Sequence, residues 1–317
     1  MISVSGATAV TGIIDIGSYI PQARVDNMAH AERFAFNEAF IRTKIGFTST
    51  ARKAPDEDTS DLAVKAVRAL QAKSGFDPAQ AQCLVVVTQN PDGHGLPHTS
   101  AIVHHKLGLP TGCFAFDVSL GCSGYVAGLA VIKGFMATAG LTHGILVTAD
   151  PYSKVIDEDD RNTFLIFGDA ATATLLGPDP AWEIGPFDMG TDGKTWGALE
   201  VKPNGKLFMN GRAVFDFCAT NVPGSIRRVL EAGGRDIAEV DHFLFHQGSK
   251  YIVDTVAGRL NIGPVAFGAT EYGNTVSSSI PLLLEPIDPT QARTVCLSGF
   301  GVGLGWASTL LRSRRHG

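Results

Sequence analysis

Apolar positions along this chain follow two alternating patterns. Short, dense runs rich in β-branched residues, "CLVVVTQ", "CFAFDVS" and "HGILVTAD", are separated by longer stretches in which apolar residues recur at helical spacing: "TSDLAVKAVRALQAKSG", "TSAIVHHKLGLP" and "SGYVAGLAVIKGFMATAG". Strand-type runs alternating with helical patterns predict βαβ units and a largely parallel sheet. The run "FLIFGDAATATLLGPD" reads as further sheet.

Gly and Pro then cluster in "GPDPAWEIGPFDMGTDGKTWG", a seam between halves, and the theme resumes. Helix "AVFDFCATNVPGSIRRVLEAGG", strand "HFLFHQ", helix "SKYIVDTVAGRLNI", a Gly/Asn corner, helix "NTVSSSIPLLLE" and the closing pair "RTVCLSGFGVGLGWASTLLR" follow in order. In both halves a turn of small residues opens onto a helix, as in "FDVSLGCSGYVAGLAV" and "TEYGNTVSSSIPLLLE". This predicts an internal duplication, with one half spanning 1–176 and the other 177–317.

Composition narrows the function classes. With 317 residues, 44% of them hydrophobic, the chain can bury a large core. A net charge of -5 with mixed signs offers no basic stripe, which argues against a nucleic-acid partner. The opening "MISVSGATAVTGIIDIGSYIP" lacks a positive n-region and is interrupted by Asp15, so no signal peptide is expected. No uncharged run reaches membrane-helix length; a cytoplasmic protein without a membrane partner is the expectation.

The cysteines stand at 83, 113, 122, 218 and 296, an odd number without a CxxC pair, so neither a disulfide framework nor a zinc ribbon is indicated. Cys83, Cys113, Cys218 and Cys296 lie in apolar runs and read as small buried hydrophobes. Cys122 differs, because it falls where a strand stops and a helix starts. Unpaired N–H groups and the positive end of the helix dipole favour thiolate there, the form that acts as a nucleophile. The alternative is a packed small residue at a tight junction. His246 ends the strand "FLFHQ" and Asn274 occupies a second strand-to-helix corner, the kind of position where α/β sheets gather reactive groups.

The segments "DVSLGCSGYVAGL", "RNTFLIFGDAATATLLG", "GTDG", "NGRAVFDFC", "FHQGS", "YGNTVSSSIPLLL" and "SGFGVGLGWAS" resemble, in order and spacing, the β-ketoacyl-acyl-carrier-protein synthase III group of the thiolase superfamily. The resemblance implies an α/β protein with a thiolase-like duplicated five-layer αβαβα fold, a homodimer, and a Cys-His-Asn site between the halves. It makes Cys122 the nucleophile that takes an acyl group from an acyl-CoA or acyl-carrier-protein thioester. His246 and Asn274 become donors to the carbonyl oxygen of a malonyl-type thioester as it loses CO2. The N–H groups of Cys122 and Val302 would form an oxyanion hole. Neutral His and Asn can both donate to a developing enolate, where a carboxylate would oppose it.

The pattern also departs from the family's housekeeping enzyme. Where that enzyme has a Trp and two Arg for coenzyme A, "FIRTKIGFTSTARK" has Phe40, Lys44 and Thr48, keeping a stacking face and a point charge without the bidentate grip. Arg161 matches a family arginine at the adenine end, or else serves the acidic run Asp157 to Asp160. Ser249 stands where an Asn touches the pantetheine arm, and Leu96 where an aromatic gate from the partner subunit closes the acyl pocket. These changes imply a specialised relative that prefers carrier-protein-bound or unusual acyl groups over acetyl-CoA.

Other readings follow from other features. "GFGVG" resembles a dinucleotide loop, yet it lies too near the chain end for the rest of a βαβ unit, so no cofactor is expected. His94, His98, His104 and His105 share no convincing helical face with another ligand, so no metal is expected either. A thioesterase, with His246 activating water, would want an extra carboxylate near "TQNPDGHGLP", where the acid present is Asp92. A non-catalytic subunit of the same fold would show loss of a catalytic residue, and none is lost.

Overall fold

A computed structural model describes residues 11–315. The first ten residues, part of the segment read for a leader, lie outside the described residues. Strand β1 (Gly12–Tyr19) is followed by β2 (Ala23–Asp26), the one-turn helix α1 (Glu38–Phe40) and β3 (Ser49–Arg52). Then come α2 (Thr59–Ser74), β4 (Cys83–Val87), α3 (Thr99–Leu107), β5 (Phe114–Val118), α4 (Gly124–Ala139), β6 (Gly144–Ala149) and β7 (Ala171–Gly177). The second run holds β8 (Trp182–Thr191), the hairpin β9 (Leu199–Val201) and β10 (Leu207–Met209), α5 (Gly211–Ala232), β11 (His242–Phe245), α6 (Lys250–Leu260), α7 (Ser279–Leu284), β12 (Thr294–Gly301) and β13 (Gly305–Ser313).

Nine strands form one sheet in the order β11-β12-β13-β8-β1-β7-β6-β4-β5. Outward from the short β1–β8 contact the arms run β1-β7-β6-β4-β5 and β8-β13-β12-β11. Their pairings repeat as well: antiparallel, antiparallel, then parallel in each arm. The arms thus share one plan, and β5 extends the first at its edge.

The dense apolar strands are explained by burial on both faces. In β4, Val85 and Val87 point to a cluster containing Leu129 and Ile132 of α4, while Leu84 and Val86 point to one containing Leu62 and Val67 of α2. In β12, Val295 and Leu297 join the α4 cluster, which also holds Ile280 and Leu283 of α7, while Cys296 and Phe300 join the cluster of Val222 and Ile226 from α5. The layers are therefore α2 and α3, the first arm, α4 with α7, the second arm, and α5 with α6. Local sequence sets the helix ends, as at α2, where Asp58 and Asp61 form a capping box and Gly75, at φ 72°, ends the helix in the left-handed region.

Two sequence expectations are corrected. The sheet is mixed rather than largely parallel: five of its eight pairings are antiparallel and three, β11–β12, β4–β5 and β4–β6, are parallel, since each arm sets its parallel pair beside antiparallel strands, as where the short connection from β12 to β13 allows only an antiparallel neighbour. The "FLIFGDAATATLLGPD" segment is continuous strand only from Ala171; Phe164 to Ile166 form turns and Phe167 makes a single β-bridge to Asn274. The cause is non-local. Gly168 N–H donates to Asn274 O and Asn274 N–H to Ile166 O, while Asp169 accepts from Lys53 and Ser153 N–H, which ties the segment to the Asn274 turn rather than to a ladder.

Candidate active site

Cys122 lies in the turn between β5 and α4, just ahead of Ser123, which occupies the N-cap position of α4. It is only 3% exposed. Helix position alone favours thiolate, but burial dominates and pushes the thiol up to about 12, even though the N–H groups of Val302 and Cys122 donate to its sulfur and oppose the shift. The end of β12 lies directly on this residue. A Cβ built on Gly301, at φ +152°, would sit 2.6 Å from Cys122 Sγ, so only glycine lets the strand deliver Val302 N–H to the sulfur.

His246 follows β11 and is buried; burial lowers its imidazole to about 3, so the ring is neutral near pH 7. Its Nδ1 lies 2.8 Å from Ser279 Oγ, and Phe300 meets the ring edge-on at 5.8 Å. Asn274 is buried in the turn before Val276. Val276 N–H donates to its Oδ1 at 2.9 Å, which identifies Nδ2 as the donor left for other partners. Thus the second arm supplies two neutral groups and the first a thiol.

Cys122, His246 and Asn274 line one cavity of about 310 Å³. Tyr251 also lines it, as do Phe167, Leu199, Met209, Phe215 and Cys218, these five not singled out from sequence as site residues. For Phe215 and Cys218 the signal was "NGRAVFDFC", where helical periodicity looks the same whether a face meets core or cavity. Cys218, read as a packed hydrophobe, is indeed buried, but it shares the cavity of Cys122.

The remaining candidates are distributed around this centre. Ser249 lines the cavity, and its hydroxyl accepts Ile252 N–H at 3.3 Å as the N-cap of α6. Lys44 places Nζ 4.0 Å from the centre of the Tyr251 ring, which stacks on Phe215 at 5.0 Å. Phe40 stacks on Phe36 at 4.7 Å, and Arg161 lies 4.4 Å over that same Phe36. Asp159 in the neighbouring acidic run pairs instead with Arg33. Leu96 is 92% exposed on the loop before α3 and does not line its own chain's cavity. Asp92 is occupied by Ser60, accepting N–H at 2.8 Å and the hydroxyl at 2.6 Å.

Asp150 was not anticipated. This carboxyl at the end of β6 is buried and accepts from Gln89 N–H at 2.8 Å and Ser277 Oγ at 3.0 Å; burial raises it to about 7. Its sequence context, "LVTADPYSK", carries no catalytic motif.

Comparison with known proteins agrees with this architecture. The family models described as 3-oxoacyl-[acyl-carrier-protein (ACP)] synthase III and its C-terminal part match residues 116–193 and 230–313. The chain is 34% identical to a β-ketoacyl-[acyl-carrier-protein] synthase III of Lactococcus lactis subsp. cremoris, over 94% of this chain and 98% of that protein. It is 32% identical to the enzyme of the same name from Geobacillus kaustophilus, over 95% of this chain and 98% of that one. The crystal structure of the Thermus thermophilus synthase superposes with a TM-score of 0.88 at 31% identity, covering 95% of this chain and 98% of that one. A sequence match over nearly the full length, joined to the same fold, means that this chain belongs to the β-ketoacyl-acyl-carrier-protein synthase III family of thiolase-fold acyltransferases.

Proposed function

We propose that this protein condenses an acyl thioester with a malonyl-type thioester through an acyl-Cys122 intermediate. The observation that carries the reading is convergence: Cys122, His246 and Asn274, from three separate turns, line one cavity, with Val302 N–H on the sulfur. In the first step Cys122 Sγ attacks the thioester carbonyl, the new S–C bond replaces the donor's C–S bond, and the thiol proton leaves with the departing thiol. The N–H groups of Cys122 and Val302 stabilise the oxyanion. In the second step the malonyl unit loses CO2, and the electron pair becomes an enolate whose oxygen accepts from His246 and Asn274. The enolate carbon attacks the acyl carbonyl, a C–C bond forms, and Cys122 departs as thiolate and takes up a proton.

Neutral His246 suits a donor's role, since its lowered basicity keeps the ring uncharged. The occupied Asp92 leaves the hydrolase reading without its carboxylate. Coenzyme A or a carrier protein would present the thioester past Ser249, Lys44, Phe40 and Arg161, where stacked rings carry cations.

A homodimer is supported by β5, an edge strand of the sheet beside an aromatic cluster of Phe114, Phe116 and Phe135, with Phe114 59% exposed. In such a dimer Leu96, projecting fully from its loop, would reach the partner's acyl pocket. The repeated strand plan supports a division into 1–176 and 177–317. No helix among the described residues is long and apolar enough to cross a membrane, and we place the reaction in the cytoplasm. The test is intact-protein mass after incubation with acyl-CoA or acyl-carrier protein: one acyl mass is expected in the wild type and none in Cys122→Ala. Labelling that persists in the variant, or that maps to Cys218, would refute the assignment.

A further inference from the structure

The turn after Asn274 carries three consecutive buried serines, and each hydroxyl is bonded to a different place. Ser277 Oγ donates to Asp150 Oδ2 at 3.0 Å. Ser278 Oγ lies 2.8 Å from Thr148 Oγ1, which itself lies 2.7 Å from Thr172 Oγ1. These two contacts fasten the turn of the second arm to β6 and β7 of the first. Ser279 does something else: its Oγ lies 2.8 Å from His246 Nδ1.

A hydroxyl has one proton and two acceptor sites, so its neighbours decide where the proton goes. Gln247 N–H approaches Ser279 Oγ at 3.5 Å and can only donate. Val276 O lies 3.0 Å from the same oxygen, can only accept, and keeps a lone pair free beside the Ser279 N–H it receives, so it competes with the imidazole for the hydroxyl proton. His246 Nδ1 makes the shortest of the three contacts. The shorter contact favours Nδ1 over Val276 O as the acceptor, and with the hydroxyl proton there the ring's own proton sits on Nε2. The same turn orients Asn274 through Val276 N–H, and Val276 adopts φ 53°, a left-handed conformation that a β-branched residue rarely takes.

We propose that Ser279 is a positioning residue of the condensing site: its hydroxyl donates to His246 Nδ1 and fixes the imidazole in the tautomer that carries a donor at Nε2. The inference rests on the proposed condensation, and it explains how a buried neutral histidine presents a donor rather than a lone pair to the enolate oxygen. Ser277 and Ser278 hold the platform; Ser279 sets the proton.

Two measurements test it. In wild-type protein labelled with 15N-histidine, with His246 assigned by difference from His246→Asn, Nε2 is expected to carry the proton and Nδ1 to be unprotonated. A proton on Nδ1, directed at the Val276 carbonyl, would overturn the proposal without any variant having to fold. In Ser279→Ala, kcat for condensation is expected to fall by at least about tenfold at unchanged KM for the malonyl thioester, while Cys122 acylation keeps its wild-type rate. Ser279→Thr, which retains the hydroxyl, is expected to restore most of the loss. Wild-type condensation in Ser279→Ala, or equal loss of acylation and condensation, would refute it. Failure of the broader reading shows separately, as wild-type protein that takes up no acyl group on Cys122, and would remove both.

Discussion

Substituting Gly301 by alanine adds one methyl group where Cys122 leaves no room for it. The new Cβ would lie 2.6 Å from Cys122 Sγ and 2.8 Å from Cys122 Cβ. Ordinary contacts between such atoms need about 3.5–4.0 Å, so the strand end or the cysteine must move by roughly 1 Å. A side chain at φ +152° also strains the backbone, which costs about 1–3 kcal/mol. Overpacking adds about 1–3 kcal/mol, less whatever the displacement relieves. Against a total stability of about 5–15 kcal/mol the variant should fold, with a lowered melting temperature. Activity should suffer more. A misplacement of about 1 Å costs on the order of 100-fold, or about 2.7 kcal/mol of barrier, and misdirecting the Val302 N–H adds to it. The assay is single-turnover acylation of Cys122 followed by intact mass, beside a thermal melt of the same sample. A folded Gly301→Ala that acylates within about threefold of wild type would refute the close approach of β12 to the sulfur.

Further outcomes follow from the same geometry. Burial puts His246 near 3 against 6.5 for a free ring, so the unfolded chain binds the extra proton and the wild type loses stability as pH falls from about 6.5 toward 3. Asp150 behaves oppositely: at about 7 against 3.8, the folded state holds the extra proton and stability is lost as pH rises from about 4 to 7. Melting temperatures across this range should therefore shift in favour of His246→Asn at the acid end and of Asp150→Asn at the neutral end, and parallel curves would contradict the burial of both groups. Phe114→Lys, at the exposed end of β5, should reduce the mass measured by sedimentation to that of one chain, and an unchanged mass would remove β5 from the interface. Arg161→Ala and Lys44→Ala should raise KM for acyl-CoA donors with little change in the rate of acyl transfer, and a fall in kcat alone would exclude them from donor binding.

Much of the candidate site was legible locally. Cys122 was conspicuous because a strand-to-helix corner can be read from a dozen neighbouring residues, and so were His246 and Asn274. The alternation of strand and helix was legible for the same reason, being a short-range pattern, but strand direction was not: five of the eight pairings in the sheet are antiparallel, set by which strands meet across the fold. Cys218 was not legible as a cavity residue, because a buried helical position looks the same from sequence whether it faces packed side chains or a space beside Cys122. Asp150 and Ser279 were missed because their roles lie wholly in their partners, Ser277 in one case and His246 in the other, each from a distant part of the chain.

By itself the sequence determined which chemical groups are present and which local turns hold them: a thiol before a helix, an imidazole after a strand, an amide in a Gly-Asn turn. Tertiary structure alone decided their ionisation and orientation. Burial outweighs the helix N-terminus at Cys122 and keeps His246 neutral, because loss of hydration depends on every element packed around a group rather than on its neighbours in the chain. The meeting of the two arms likewise brings Gly301 against Cys122, a contact that exists only once both halves of the sheet have folded over the shared layer of α4 and α7, while packing within the second arm brings Ser279 against His246.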